Sequence, residues 1–251
     1  MRAIAIAISL AMLSGTARAD DGCICELFAK LVPDRPSGVG WGDYELVDLM
    51  RVGDEPSISS RVATETPTGG IANELLAGVR IGGVLGGRHA FGYHAEIDLL
   101  AGATFADSST RDHGGFAYDV ALYPIGIGVH FGDTSAIALG TGIVATGATR
   151  WLDDGVGLPV QATVQLGSGS VRVLGRARVA MLAGTHDDGA PSLPFTGEFE
   201  ATLGVRIGHH YRDWDFPSAN GYFIGAAYKE MLGDRYLGLA IGYELDAGIP
   251  H

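Results

Sequence analysis

The sequence predicts an all-β protein: a closed antiparallel transmembrane β-barrel of about ten strands, with eight as the alternative. Three observations predict it. Apolar and polar residues alternate with period two over segments long enough to cross a bilayer at a tilt. Tight and long connections take turns between those segments. No later segment has the 18 consecutive apolar residues of a membrane helix, although mean hydropathy is positive, so apolar surface must be hidden some other way.

The first nineteen residues read as a cleaved secretory signal peptide. Arg2 supplies the positive start, Ala3 to Leu13 are apolar apart from Ser9, and Ala17-Arg18-Ala19 puts small residues at −3 and −1 of a cleavage site. Eleven residues cannot span a hydrocarbon core that needs roughly 20. Cleavage removes Arg2 and Arg18, leaving 15 basic against 29 acidic residues, a net charge of −14. Phosphate binding requires a basic surface, so no nucleic-acid partner is expected.

Residues 20–40 read as a periplasmic N-terminal segment, with one or two helical turns from Cys25 to Val32 ended by Pro33 and Pro36. Cys23 and Cys25 stand two apart in an oxidising compartment. A bond between them would be strained, so an intermolecular disulfide or thiol exchange is equally open, and self-association through either Cys is one expectation. Two thiols alone make no metal site.

The barrel domain is placed at 41–251. Phe91 to Phe105 alternates best: its odd positions are all apolar or aromatic, and its even positions include His94, Glu96, Asp98 and Thr104. Val160 to Leu166 sets valines, alanine and leucine against Gln161, Thr163 and Gln165, and Val171 to Ala183 opposes apolar residues to Arg172, Arg176 and Arg178. Gly197 to Ile207 opposes them to Glu198, Glu200, Thr202 and Arg206. Strands are expected near 42–52, 72–86, 89–105, 115–131, 134–148, 158–167, 171–184, 195–209, 221–231 and 235–246.

Gly86-Gly87-Arg88, Gly132-Asp133-Thr134 and Ser168-Gly169-Ser170 are tight turns, whereas 56–70, 106–114, 150–157 and 185–194 are long and polar. That rhythm puts the turns in the periplasm and the loops outside. It breaks at 209–220, too long for a turn, and at 233–235, too short for a loop. Tyr118 to Phe131 is apolar at both parities with Pro124 inside, a mark of a bulge or a strand end. Gly140 and Gly142 in the nearly apolar 136–148 suggest close packing.

These segments resemble the small outer-membrane β-barrel superfamily of Gram-negative bacteria, the opacity-protein-like barrels, over residues 42 to 246. The resemblance rests on signal peptide, strand pattern and loop alternation. Tyr236 to Leu245 resembles the closing strand read by the family's assembly machinery, although the chain continues to His251. The partners this implies are outer-membrane lipid and that machinery, and the location is the cell outer membrane.

Glu96, Asp98, Arg172, Arg176, Arg178, Glu198, Glu200 and Arg206 fall on the polar faces, so they are expected to form a charge network inside the lumen, either as an ion-paired plug or as a narrow polar path or small-ligand site. His113, His186, His209 and His210 lie near carboxylates in predicted loops, but no spacing matches a recognised catalytic motif. No catalytic residue, metal or cofactor is assigned. Trp41, Tyr44, Tyr93, Tyr123, Trp151, Tyr211, Trp214, Tyr222, Tyr228, Tyr236 and Tyr243 fit either aromatic girdles or ordinary packing. The expected role is a non-enzymatic outer-membrane protein that stabilises the envelope or binds partners through its loops, with no general pore. The rivals are a barrel enzyme acting on lipid or peptide at the outer rim, and a soluble, secreted sandwich or lipocalin-like binding protein.

Overall fold

The computed structural model describes residues 37–52, 71–86, 91–106, 115–131, 135–148, 152–167, 170–184, 196–212, 217–231 and 234–249. Nearly all of them lie in ten strands: β1 (Ser37–Arg51), β2 (Ile71–Gly86), β3 (Phe91–Ala106), β4 (Gly115–Phe131), β5 (Ser135–Ala148), β6 (Leu152–Leu166), β7 (Val171–Ala183), β8 (Thr196–Arg212), β9 (Pro217–Met231) and β10 (Asp234–Ile249). Each pairs antiparallel with its neighbours in sequence, and β1 also pairs with β10, from Gly38 opposite Ile249 to Arg51 opposite Tyr236. The barrel is therefore closed and has no free edge to protect. Cys23, Cys25, the helical turns expected at 25–32 and the signal peptide lie outside the described residues.

Every strand expected from the sequence is present, and the errors are at the ends. β1 begins at Ser37, ahead of the boundary placed at 41. β6 begins at Leu152, so 150–157 is not a loop. Gly155, Gly157 and Pro159 disguise that stretch as a connection because they contribute no apolar alternation. β8 runs on to Arg212 and β9 starts at Pro217, which leaves only 213–216 between them. With that correction, every connection at the end where β1 begins and β10 finishes, the terminus end of the barrel, is three or four residues: 87–90, 132–134, 167–170 and 213–216. The opposite end carries 52–70, 107–114, 149–151, 184–195 and 232–233, so the long connections are confined to it.

The ambiguity in β4 has a local cause. Its pairing slips by one residue against β3 between Tyr93 and Glu96, and against β5 between Leu122 and Ile125. Both slips bracket Pro124, which has no N–H to give a ladder and stands as the extra residue of a β-bulge. Inward positions are Ala117, Asp119, Ala121 and Tyr123 before it, then Gly128 and His130 after it. Facing changes parity at the proline, which is why neither parity reads as polar throughout. Tyr93 Oη donates to the Pro124 carbonyl at 2.5 Å and ties the bulge to β3.

Gly142 is fixed by the same bulge. A Cβ there would overlap the Leu122 carbonyl oxygen and come within 2.6 Å of Pro124 Cδ. Gly142→Val should accordingly destabilise the barrel by about 1–3 kcal/mol, as overpacking does. The readout is the temperature at which the folded band is lost in SDS; an unchanged temperature would show that the bulge relaxes without cost.

Candidate functional site: the ion-paired lumen

The two faces of the sheet are chemically opposite. Nine of the ten strands place large apolar side chains on the outside, including Met50, Phe91, Ile125, Ile143, Leu158, Met181, Leu203, Tyr222 and Leu239; on β2, Leu75, Val79, Ile81 and Leu85 are half-buried. The inside collects the charge. This follows from period two: where a strand has one polar and one apolar parity, closure assigns the polar one to the lumen.

Aromatic residues cluster toward both ends of the outer surface. Phe91, Tyr93, Phe131 and Tyr222 face out toward the end where β1 begins, and Phe105, Phe116 and Phe199 toward the other. Tyr222 packs edge-on against Tyr243 with ring centroids 5.4 Å apart. From Tyr93 to Phe105 along β3 is about 40 Å of strand at ~3.3 Å per residue, or about 30 Å along the barrel axis at a ~40° tilt. That is close to the ~25 Å apolar band of outer-membrane barrels. Trp41, Tyr123 and Tyr236 point inward instead, so they belong to packing. Trp151, Trp214 and the side chain of Tyr211 lie outside the described residues.

All eight residues picked from sequence for the lumen face inward and meet partners. Toward the end with the chain termini, Arg172 Nη1 lies 2.5 Å from Asp246 Oδ2 and 3.9 Å from Glu244 Oε1. Arg206 Nη1 donates to Asp246 Oδ2 at 3.1 Å, with its Nε 3.4 Å from Glu244 Oε2. At mid-height Arg176 pairs with Asp43 and stands 3.3 Å from Glu96 and 3.8 Å from Glu45. Arg80 lies 2.7 Å from Glu45 and donates to Asp98 at 3.3 Å and to Glu200 at 3.0 Å. Toward the other end, Arg178 pairs with Asp119 and donates to Glu198 at 2.6 Å and Glu200 at 2.8 Å, and Lys229 Nζ donates to Glu74 at 3.0 Å.

Several of these pairs cross the barrel. β2 and β8, joined by Arg80–Glu200, are four strands apart around the ring, as are β7 and β1, joined by Arg176–Asp43. Thr163 Oγ1 on β6 donates to Glu96 on β3 at 3.0 Å. Apolar clusters fill between the charges. Leu76, Leu100, Tyr123, Leu182 and Met231 form one, Val47, Leu174, Phe223 and Tyr236 a second, and Val39, Trp41, Val84, Ala136 and Ala138 a third. Trp41 stacks on His94 at 5.7 Å, and the His94 Nδ1 lies 3.0 Å from the Gly83 carbonyl. Side chains meeting from opposite walls leave no wide aqueous path where they cross.

Sequence reading missed eight other charges in the network: Asp43, Glu45, Glu74, Arg80, Asp119, Lys229, Glu244 and Asp246. A usable signal existed on β10, where Glu244 and Asp246 alternate with Tyr243 and Leu245. On β1 it was masked because Asp48 faces out between inward Val47 and Leu49. Asp119 was hidden by the parity change at Pro124. The side chains of Asp119, Glu198 and Glu200 converge closely enough to hold a cation, and the Arg178 guanidinium occupies that position. His113 and His186 lie outside the described residues. His209 is exposed near the terminus-side end of β8.

No protein-family model and no curated protein matches the chain. Among solved structures, a TodX deltaS2S3 mutant monoaromatic hydrocarbon channel is similar at 9% identity and a TM-score of 0.27, covering 89% of this chain and 92% of that one.

Proposed function

We propose that the protein is an outer-membrane β-barrel with a structural, envelope-stabilising or loop-presenting role, and that its lumen is a plug rather than a general pore. The observation that carries this reading is the inverted polarity of the barrel. A soluble lipocalin-like barrel hides its apolar faces inside and shows charge to water; here arginines, a lysine and carboxylates are buried in the lumen while leucines, isoleucines and aromatics cover the outside. In water so large a continuous apolar surface would aggregate, and in a bilayer it is the solvated surface. Uniformly short connections at the terminus-bearing end match periplasmic turns, which directs the long connections outward.

The partners of this reading are outer-membrane lipid around the apolar belt and the machinery that inserts barrels by their closing strand, here β10. Cross-lumen ion pairs support the structural role: they bind opposite walls together and resist ovalisation, whereas a general pore would need the lumen centre clear.

The test is electrophoresis of the isolated outer-membrane fraction in SDS, boiled against unboiled. A band in that fraction that shifts on boiling is the expected result. Recovery of the protein in the soluble periplasm or the medium would defeat the proposal.

A further inference from the structure

Residues 20–36 lie outside the described residues, and they join the barrel at Ser37, the first residue of β1. Their chemistry asks for an apolar partner. Over Ile24 to Val32, helical spacing puts Ile24, Leu27, Phe28 and Leu31 on one face and Glu26 and Lys30 on the opposite one. Pro33 to Pro36 then form a four-residue link to β1. The lumen has no room for such a segment at this end. Val39 and Trp41 of β1 and Val84 of β2 form one buried cluster with Ala136 and Ala138 of β5, so side chains from opposite walls already meet.

The outer face beside Ser37 is different. Even positions of β1 face outward, and its first ones are Gly38, Gly40 and Gly42, followed by Tyr44. Gly40 stands opposite Gly83 of β2, and Gly42 stands between Ile81 of β2 and Leu245 of β10. The result is a floor of bare backbone, walled by Ile81, Leu85 and Leu245 and stopped by Tyr44. Those three wall residues are half-buried although β1 sets only glycine beside them, and Gly38 itself is buried. A Cβ at Gly42 would meet no atom within 4 Å, so the recess is sheltered and still has room at Gly42. From Gly38 to Gly42 it runs about 13 Å at ~3.3 Å per residue, the length of about nine helical residues at ~1.5 Å each. Ile24 to Val32 is a stretch of that length.

We infer that Ile24 to Val32 docks in this recess as a short amphipathic helix, outside the barrel and along the start of β1. Small residues let two backbones approach closely, and close packing is what associates elements where lipid supplies no hydrophobic drive between them. Leu27 and Phe28 then meet the glycine floor, while Glu26 and Lys30 turn toward water at the membrane edge. The four-residue link holds the segment beside the recess at an effective concentration on the order of millimolar. The inference goes beyond the outer-membrane reading, and its failure would leave that reading in place, because the shift on boiling is read separately.

The experiment is disulfide trapping in the folded, detergent-solubilised full-length protein with Cys23→Ser and Cys25→Ser, carrying Phe28→Cys and Gly42→Cys. The unboiled band in SDS verifies folding, and mass spectrometry of the unreduced chain identifies the bond. An intrachain disulfide is expected, forming at least about tenfold faster than in a control that pairs Phe28→Cys with Leu139→Cys, since a tether of the wrong span contributes almost no effective concentration. Leu139 faces outward on β5, across the barrel from β1. Adding Gly40→Trp fills the floor and should abolish the difference. Equal rates in the two pairs would place the segment free on lipid or detergent, and bonds between two chains would place a second copy in the recess. Persistence with Gly40→Trp would show that the glycine floor does not hold the segment. Each of these three results overturns the inference. Should Gly42→Cys fail to fold, Leu245→Cys on the wall of the recess replaces it.

Discussion

Leu203→Arg should cost the folded barrel about 2–4 kcal/mol in a bilayer, the penalty for a cation on the lipid face near the midplane. Leu203 lies at the middle of β8, points outward and is 63% exposed. Were the outside of the barrel bathed in water, the same substitution would be a surface change worth about ±0.5 kcal/mol or less. Nothing in the lumen is disturbed in either case, because the side chain faces away from Arg206 and Thr202. The measurement is the free energy of reversible unfolding in lipid vesicles for the native sequence and the variant, with Thr202→Arg avoided as a comparison because it would add a charge to the network. A loss below about 1 kcal/mol would contradict the lipid-facing assignment of this surface. Placing the arginine near the aromatic rim instead, at Ile207, should cost only about 0–1 kcal/mol, because the penalty fades toward the interface. The gradient between the two positions is the stronger evidence, since a general defect in packing would not depend on depth.

How much of this was legible in the sequence depends on how well each strand keeps to one parity. β3, β7 and β8 keep to it from end to end, and each of the eight lumen charges proposed from sequence lies on one of them. The strands that concealed their charges each break the rule for a physical reason. β4 changes parity at the Pro124 bulge, and β1 turns Asp48 outward beside two inward apolar residues. On β2, Arg80 sits among small residues, Gly78, Gly82 and Gly83, that report no face at all. Glycine also explains the misplaced start of β6. What could not be read was which charge meets which. The pairs Arg80–Glu200 and Arg176–Asp43 join residues 120 and 133 positions apart through the closed ring. Their meeting depends on strand number and register, quantities that period two does not contain.

The second large effect concerns Arg178. It is buried, its guanidinium contacts Asp119, Glu198 and Glu200, and those carboxylates come from β4 and β8, so it closes the lumen from one wall to the other. Arg178→Met keeps most of the volume and removes the charge. Three carboxylates then face one another in a water-poor interior with Lys229 and Arg80 as their remaining neighbours, and removing one partner of a buried ion pair costs about 3–5 kcal/mol. The folded band in SDS should be lost at a markedly lower temperature, or the barrel should fail to fold. The reason is electrostatic rather than steric, and a combined variant separates the two. Adding Asp119→Asn and Glu198→Gln to Arg178→Met removes the stranded charges while preserving shape, and it should recover most of the loss, because well-packed neutral groups replace buried ion pairs at little or no cost. If the triple variant is as unstable as Arg178→Met alone, the arginine acts by filling space. Recovery would mean that the plug is held by charge balance, and that the lumen tolerates neutral occupants at this level as long as no carboxylate is left without a counter-charge.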